Sequence, residues 1–293
     1  YVAEKNMDPI NLFIGSEGTL GVITEADLFV TEEPRRIFGQ LVFFPDREKM
    51  LAVVSALKQK SAVLTTAIEY YGPRALSLLR EHTELFSHLR LPEGVRNCGI
   101  YCETVFESDH DLEMIFEFYG ELFDKNDVPL ESTWAAYDRK SLSRMSTVRH
   151  TVPETVNRLI AANKKRDKGI HKLSTDMAVP EGEIGHILSF YEKSLTEHGL
   201  DFVIFGHIGD GNLHVNIIPK NADETARGMR LYESFAYEVL RCRGAVAAEH
   251  GIGRMKKELL QRQFPREVIR HMRAVKNILD PNAVLNPGVL FDP

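Results

Sequence analysis

Along most of the chain, short runs of alternating apolar residues take turns with longer stretches in which apolar positions recur every three or four residues. The first period is that of a strand with one buried face, the second that of an amphipathic helix. Residues 40–44 read as a strand, and residues 46–58 carry Met50, Val53, Val54 and Leu57 at helical spacing. A strand at 67–71, a helix opening at Pro73 and a strand at 98–106 follow. Proline suits a first helical turn because its φ is already fixed near the helical value. Asp109 is placed to cap a helix bearing Leu112, Ile115, Phe116, Tyr119, Leu122 and Phe123, and residues 131–136 close the set as a strand. Beyond a helical stretch rich in Arg and Lys at 141–168, the order repeats: strand 172–179, helix 183–197 ended by Gly199, strands 202–207 and 212–218, helix 222–241, strand 245–249. A helix at 265–279 and a turn-rich extension complete the chain.

Two successive β-α-β-β-α-β patterns predict an α+β fold, in which two ferredoxin-like units merge their antiparallel strands into one wide sheet covered by helices. Ahead of them, residues 12–30 predict strand, loop and strand around the turn Gly15-Ser16-Glu17-Gly18-Thr19-Leu20-Gly21. Pro34 marks a boundary, because the residue before a proline is pushed out of the helical region. The expected division is therefore 1–33, 34–264 and 265–293. The opening Tyr1-Val2-Ala3-Glu4, without an initiator Met, reads as a start inside a domain.

With 43% hydrophobic and 27% charged residues the composition is that of an ordinary globular protein. No apolar run approaches the roughly 18 residues of a spanning helix, and the N-terminus lacks the basic-then-apolar pattern of a secretory signal. A formal charge of -6 with both signs interspersed argues against nucleic acid as a partner. Cys98, Cys102 and Cys242 cannot all pair, and residues four apart in a strand lie roughly 13 Å from one another, too far for a disulfide. This usage suits a reducing compartment, with the cytoplasm as the expected location.

The sharpest local chemistry is in Phe205-Gly206-His207-Ile208-Gly209-Asp210-Gly211-Asn212-Leu213-His214-Val215-Asn216. Asp210-Gly211 is expected to form a two-residue hairpin turn, since both tolerate positive φ. His207 would then pair with His214, with Cβ atoms about 5 Å apart on one face, close enough to share an ion. Asn212 and Asn216 fall on that face as well. Alone, two such histidines are more often solvent-exposed or hydrogen-bonded than metal ligands. A third donor changes the balance: Glu249 ends the apolar strand 245–249, beside His250 and the small residues Gly251 and Gly253. Two His and a Glu with an open position form a donor set used in catalytic zinc sites. His250 becomes a candidate base. Arg149 is a candidate carboxylate clamp because guanidinium offers a planar bidentate fork, and Lys172 a second cationic contact. The same donor set also fits a metal-dependent hydrolase, or a non-catalytic domain whose metal ties hairpin to strand.

Four ordered motifs, Gly15 to Thr24, His207 to His214, Glu249 to Gly253 and Asn286-Pro287-Gly288, together resemble the FAD-linked oxidase family related to vanillyl-alcohol oxidase. The likeness is to the branch with D-lactate dehydrogenase, the glycolate oxidase flavin subunit and D-2-hydroxyglutarate dehydrogenase. It implies that residues 1–33 end an FAD-binding domain whose main pyrophosphate loop lies upstream, that 34–264 form the substrate domain, and that 265–293 return toward the FAD domain. Ser16, Gly18, Thr19, Gly21, Ile23 and Asn286 would lie at the FAD. His207, His214 and Glu249 would hold Zn2+ or another divalent ion. Arg149 and Asn216 would bind a small D-2-hydroxy acid, and His250 would take its proton while hydride passes to flavin N5. Electrons would leave to an electron-transfer flavoprotein, a cytochrome or a quinone, a second copy of the chain is a candidate partner, and this stretch alone is not expected to turn over. Three positions depart from the branch: Pro153 stands where relatives tend to carry Ser or Thr, Ser174 in the register of the substrate lysine, and Val289 where lysine is common.

Overall fold

A computed structural model of the chain describes residues 7–34, 36–59, 63–81 and 98–292. The opening Tyr1 to Glu4 lies outside the described residues.

The alternating runs form the strands β1 (Arg36–Phe44), β2 (Leu64–Tyr71), β3 (Cys98–Phe106) and β4 (Thr133–Ala136), followed by β5 (Leu173–Ser174), β6 (Phe202–His207) and β7 (Asn212–Ile217). Helices α1 (Arg47–Lys58), α2 (Pro73–Glu81), α3 (Asp109–Lys125) and α4 (Arg139–Arg166) belong to the first half. The second half holds α5 (Ile184–Glu197), α6 (Ala222–Arg241), α7 (Lys257–Gln263) and α8 (Arg266–Leu279). The N-cap of α3 is Ser108 rather than Asp109: Ser108 and Asp111 satisfy each other's backbone N–H groups in a capping box.

All seven strands join one antiparallel sheet in the order β4-β1-β3-β2-β6-β7-β5. The left part, 4-1-3-2, is the ferredoxin-like strand order. The right part repeats it, with the fourth strand reduced to a single bridge from Ala178 to Ala245. The predicted strand 172–179 is likewise reduced, to β5 and that bridge. The units meet where β2 pairs β6 through Tyr70↔Gly206 and Tyr71↔Phe205.

Period two sorts the sheet's residues between two faces. Phe38, Val42, Ile100, Ile204, Leu213 and Val215 pack with α1, α3, α5 and α6 in the larger core. Leu41, Phe43, Tyr71, Tyr101 and Val203 face the other way, against α2 and α4. Glu69, Glu103, His207, Asn212, His214 and Asn216 share the parity of this second set. They line the face that α2 and α4 leave partly uncovered.

The predicted strand, loop, strand at 12–30 is not observed. A 3-10 turn covers Pro9–Leu12, and residues 21–34 pair with no described segment. Val22, Ile23, Leu28, Phe29 and Val30 are exposed. Alternation makes a strand only where a ladder partner takes its N–H and C=O groups.

Candidate active site

His207 ends β6 and His214 sits inside β7. The loop between the strands spans four residues rather than two: Ile208–Asp210 form a 3-10 turn, closed by Gly211 at φ 68°. His207 therefore pairs with Asn212, and His214 with Phe205. The shift from the expected pairing is two residues, and a two-residue shift preserves sides. Both imidazoles stay on one face, with ring centroids 5.7 Å apart. A side chain at 211 would collide with the Val179 carbonyl, which explains why glycine closes the loop.

Glu249 does not end a strand. After the bridge at Ala245 the chain leaves the sheet, because the buried Asp176 carboxylate gathers the backbone N–H groups of Ala248 (3.3 Å), Glu249 (3.1 Å) and His250 (3.1 Å). The Lys256 ammonium completes its shell at 2.7 Å. Burial opposes ionisation of Asp176, but Lys256 and these N–H donors outweigh it and hold its pKa below the ordinary carboxylate value. The resulting turn aims Glu249 back at the hairpin. Its carboxylate lies 3.0 Å from His214 Nε2 and 3.6 Å from His207 Nε2, and the three donors fall within 4.8 Å of one another.

The remaining ring nitrogens are also engaged. His214 Nδ1 is 2.9 Å from the Thr175 carbonyl, an acceptor, so Nδ1 is the donor there and Nε2 is the nitrogen that faces Glu249. His207 Nδ1 lies 2.9 Å from Glu69. Orienting carboxylates and carbonyls behind imidazoles are typical of metal ligands, and the donor set fits a divalent ion. Behind Glu69 stands Arg149, at 2.5 Å, which also approaches Glu103 at 3.6 Å. Burial alone would lower the Arg149 pKa; the two carboxylates more than offset this and raise it. Tyr101 donates to Glu103 at 2.6 Å. Arg149 is thus held by two acids, with its guanidinium one-third exposed.

Asn212 Oδ1 and Asn216 Nδ2 are buried beside His214 without a hydrogen-bond partner. Such groups are costly unless a ligand completes them. Two cavities flank the cluster. One, of about 680 Å³, takes in Glu69, Arg149 and His207; the other, of about 510 Å³, takes in Lys172, Ser174 and His250. His250 is 71% exposed, with Nε2 3.2 Å from Glu249. Arg149 and Lys172 therefore open into different cavities.

The glycine turn reaches the same region through a residue that motif reading passed over. Glu17 accepts from the N–H groups of Ile252 and Gly253, both at 2.7 Å. Asn286 donates to the Glu17 carbonyl at 2.6 Å and lies beside Gly18. Lys276 binds the carbonyls of Thr19 and Leu285 and the Asp280 carboxylate. Ser16 and Thr19 are buried, Ile23 is exposed, and Gly21 stands near the Phe13 ring. Asp176, Lys256, Glu69 and Glu17 are the side chains of this cluster that spacing did not reveal. The only sequence signal was an acid inside an apolar run, as in Leu173-Ser174-Thr175-Asp176-Met177-Ala178-Val179.

Residues 33–290 match the model of the family described as FAD linked oxidases, C-terminal domain. The chain belongs to that family. D-2-hydroxyglutarate dehydrogenase of Stutzerimonas stutzeri is 27% identical over 288 residues, covering 96% of this chain and 58% of the relative. Glycolate oxidase subunit GlcD of Bacillus subtilis is 24% identical, covering 97% and 57%. A mitochondrial D-2-hydroxyglutarate dehydrogenase of Bos taurus is 28% identical, covering 94% and 48%. The chain thus spans about half the length of the curated relatives it matches. Among solved structures, alkyldihydroxyacetonephosphate synthase superposes with a TM-score of 0.62 at 16% identity, covering 97% of this chain and 49% of that one. p-Cresol methylhydroxylase gives 0.61 at 14% identity, covering 89% and 54%. This FAD-linked oxidase domain shares their fold, and the relatives just given are named D-2-hydroxyglutarate dehydrogenase and glycolate oxidase subunit. No described helix is long and apolar enough to cross a membrane.

Proposed function

We propose that this domain is the substrate-binding part of an FAD-dependent dehydrogenase that converts a small D-2-hydroxy acid to the 2-oxo acid. The observation that carries the reading is the convergence of His207, His214 and Glu249 beside the orphaned Asn216 amide and the His250 imidazole, in a domain of the FAD-linked oxidase family. His207 Nε2, His214 Nε2 and the Glu249 carboxylate would hold a divalent ion such as Zn2+. When bound, the ion supplies Lewis-acid stabilisation of charge on substrate oxygens, and FAD supplies the hydride acceptor.

The chain's own groups do the rest. Asn216 Nδ2 donates to a substrate oxygen, and Lys172 meets the acid's negative charge from its side of the cluster. His250 Nε2 accepts the hydroxyl proton, its backbone fixed by Asp176 and its exposed ring free to turn from Glu249 toward substrate. A positioned base of this type contributes about 10²–10⁴-fold. Arg149 takes a substrate carboxylate with the guanidinium edge that Glu69 and Glu103 leave open. Segment 1–33, with Ser16, Gly18, Thr19, Gly21 and Ile23, meets FAD at the boundary with 34–264, and segment 265–293 returns there through Asn286, a division supported by the Glu17, Lys276 and Asn286 contacts. Electrons would leave to a flavoprotein, cytochrome or quinone. Three buried, unpaired cysteines suit a reducing compartment, the cytoplasm by our reading.

Anaerobic mixing of the full-length protein with a panel of D-2-hydroxy acids tests the reading. Flavin bleaching should follow within one turnover and fall at least about 100-fold in His250→Asn, with metal content unchanged. Undiminished bleaching in that variant removes His250 from the reaction. Full metal occupancy after His207→Ala with His214→Ala removes the ligand assignment. Chelation that unfolds the protein, without substrate-dependent bleaching of the untreated enzyme, would favour a structural metal instead.

A further inference from the structure

On the opposite side of the sheet, three donor side chains meet where α5 begins and α6 ends, with Glu183 close by. Glu183 and His186 are three residues apart at the start of α5, and Glu238 and Cys242 are four apart at the end of α6. Both spacings put the two side chains of a pair on one helix face, and packing of Tyr191 on Phe235, with centroids 4.6 Å apart, brings the faces together. His186 Nε2 lies 2.5 Å from Glu238 Oε1. The donor atoms of His186, Glu238 and Cys242 all fall within 4.8 Å of one another. The Glu183 carboxylate stands near the Cys242 thiol, as a fourth potential donor.

We propose that Cys242, His186 and Glu238, with Glu183 or water in the fourth position, form a second divalent-metal site, of thiolate-imidazole-carboxylate type and suited to zinc. Bonds of about 2.0–2.3 Å set tetrahedral donors about 3.3–3.8 Å apart. His186 and Glu238 would part by about 1 Å, and the wider pairs would close by a similar amount. An ion-pair network is the plainer reading, since Arg241 also reaches Glu238 at 2.8 Å. It leaves the cysteine unexplained. The cluster sets two carboxylates and a thiol against one imidazole and a guanidinium that is 73% exposed. Burial, with Glu183 and Glu238 beside it, pushes the Cys242 pKa up to about 11, so the metal-free thiol keeps its proton. On binding, that proton passes to the buffer and the sulfur becomes an anionic ligand, which favours zinc over magnesium or calcium. His186, 45% exposed, leaves the ion a route in.

Cobalt(II) distinguishes this site from the other cluster, because only here is sulfur a donor. Full-length protein stripped with chelator and titrated with Co2+ should develop a near-ultraviolet thiolate-to-cobalt charge-transfer band in the difference spectrum. The band should persist in His207→Ala with His214→Ala and vanish in Cys242→Ser. His186→Gln, at an exposed position that leaves the thiol and the fold intact, should shift the Co2+ titration midpoint at least about tenfold. No band in the unsubstituted protein, or a band that survives Cys242→Ser, would overturn the proposal. So would an unmoved midpoint in His186→Gln.

Discussion

Replacing Asp176 by Asn tests whether one buried carboxylate builds the turn that carries Glu249 and His250. Asp176 accepts three backbone N–H groups and the Lys256 ammonium, and its partner is itself only 11% exposed. Removing one member of a buried ion pair costs about 3–5 kcal/mol. Asparagine keeps one carbonyl oxygen for part of the N–H set, so we expect about 3 kcal/mol. With a urea m-value of about 3 kcal/mol/M the unfolding midpoint falls by about 1 M. The turn also positions Glu249, so zinc affinity at the proposed His207-His214-Glu249 site should drop about 10–100-fold. The sign of the pH dependence follows from the depressed pKa of Asp176. Its contribution is complete above the unfolded-state value of about 3.9 and disappears as pH falls through the lower native value. The gap between wild type and Asp176→Asn is therefore constant near neutrality and closes in acid. Urea titration followed by circular dichroism, together with competitive zinc titration, measures both quantities. A midpoint within about 0.2 M of wild type and unaltered zinc affinity would refute the cradle argument.

Glu69→Gln keeps the side chain's shape but removes the charge facing His207 Nδ1 and Arg149. Zinc affinity should fall about tenfold or more, with a modest loss of stability of about 1–3 kcal/mol, by competitive titration and thermal melting; unchanged affinity would make Glu69 a bystander. Gly211→Ala forces a side chain into positive φ and against the Val179 carbonyl. We expect about 3 kcal/mol of destabilisation by urea titration, and a wild-type midpoint would show that the loop has room to adjust.

The parts of the architecture legible in the sequence were those set by period. Strands β3 and β6 and helix α6 begin and end where apolar spacing places them, and the repeated pattern gives the order 4-1-3-2. Parity also carried the clustering of His207 with His214: a wrong hairpin length changed the register by two and left the face unchanged. Residues 245–249 were misread because their composition is strand-like, whereas their path is decided by Asp176, some seventy positions earlier. No local pattern encodes that capture. The exposed stretch 21–34 is the reverse case, alternation without a described partner. Pro153, within α4, removes the N–H that would bond the Arg149 carbonyl one turn earlier, yet the flanking turns, buried in the core through Val148, Val152 and Val156, keep the helix continuous.

The contact made by Glu17 has a mechanical consequence. A carboxylate gripped by two consecutive amides acts as a rivet: the glycine turn at 15–21 and the bend at 249–253 can shift only as one body. An ångström of travel on one side is delivered to the imidazole of His250 on the other. The amide protons of Ile252 and Gly253 should exchange with solvent slowly for so exposed a bend, and their rates would report, residue by residue, whether the two parts are still locked together.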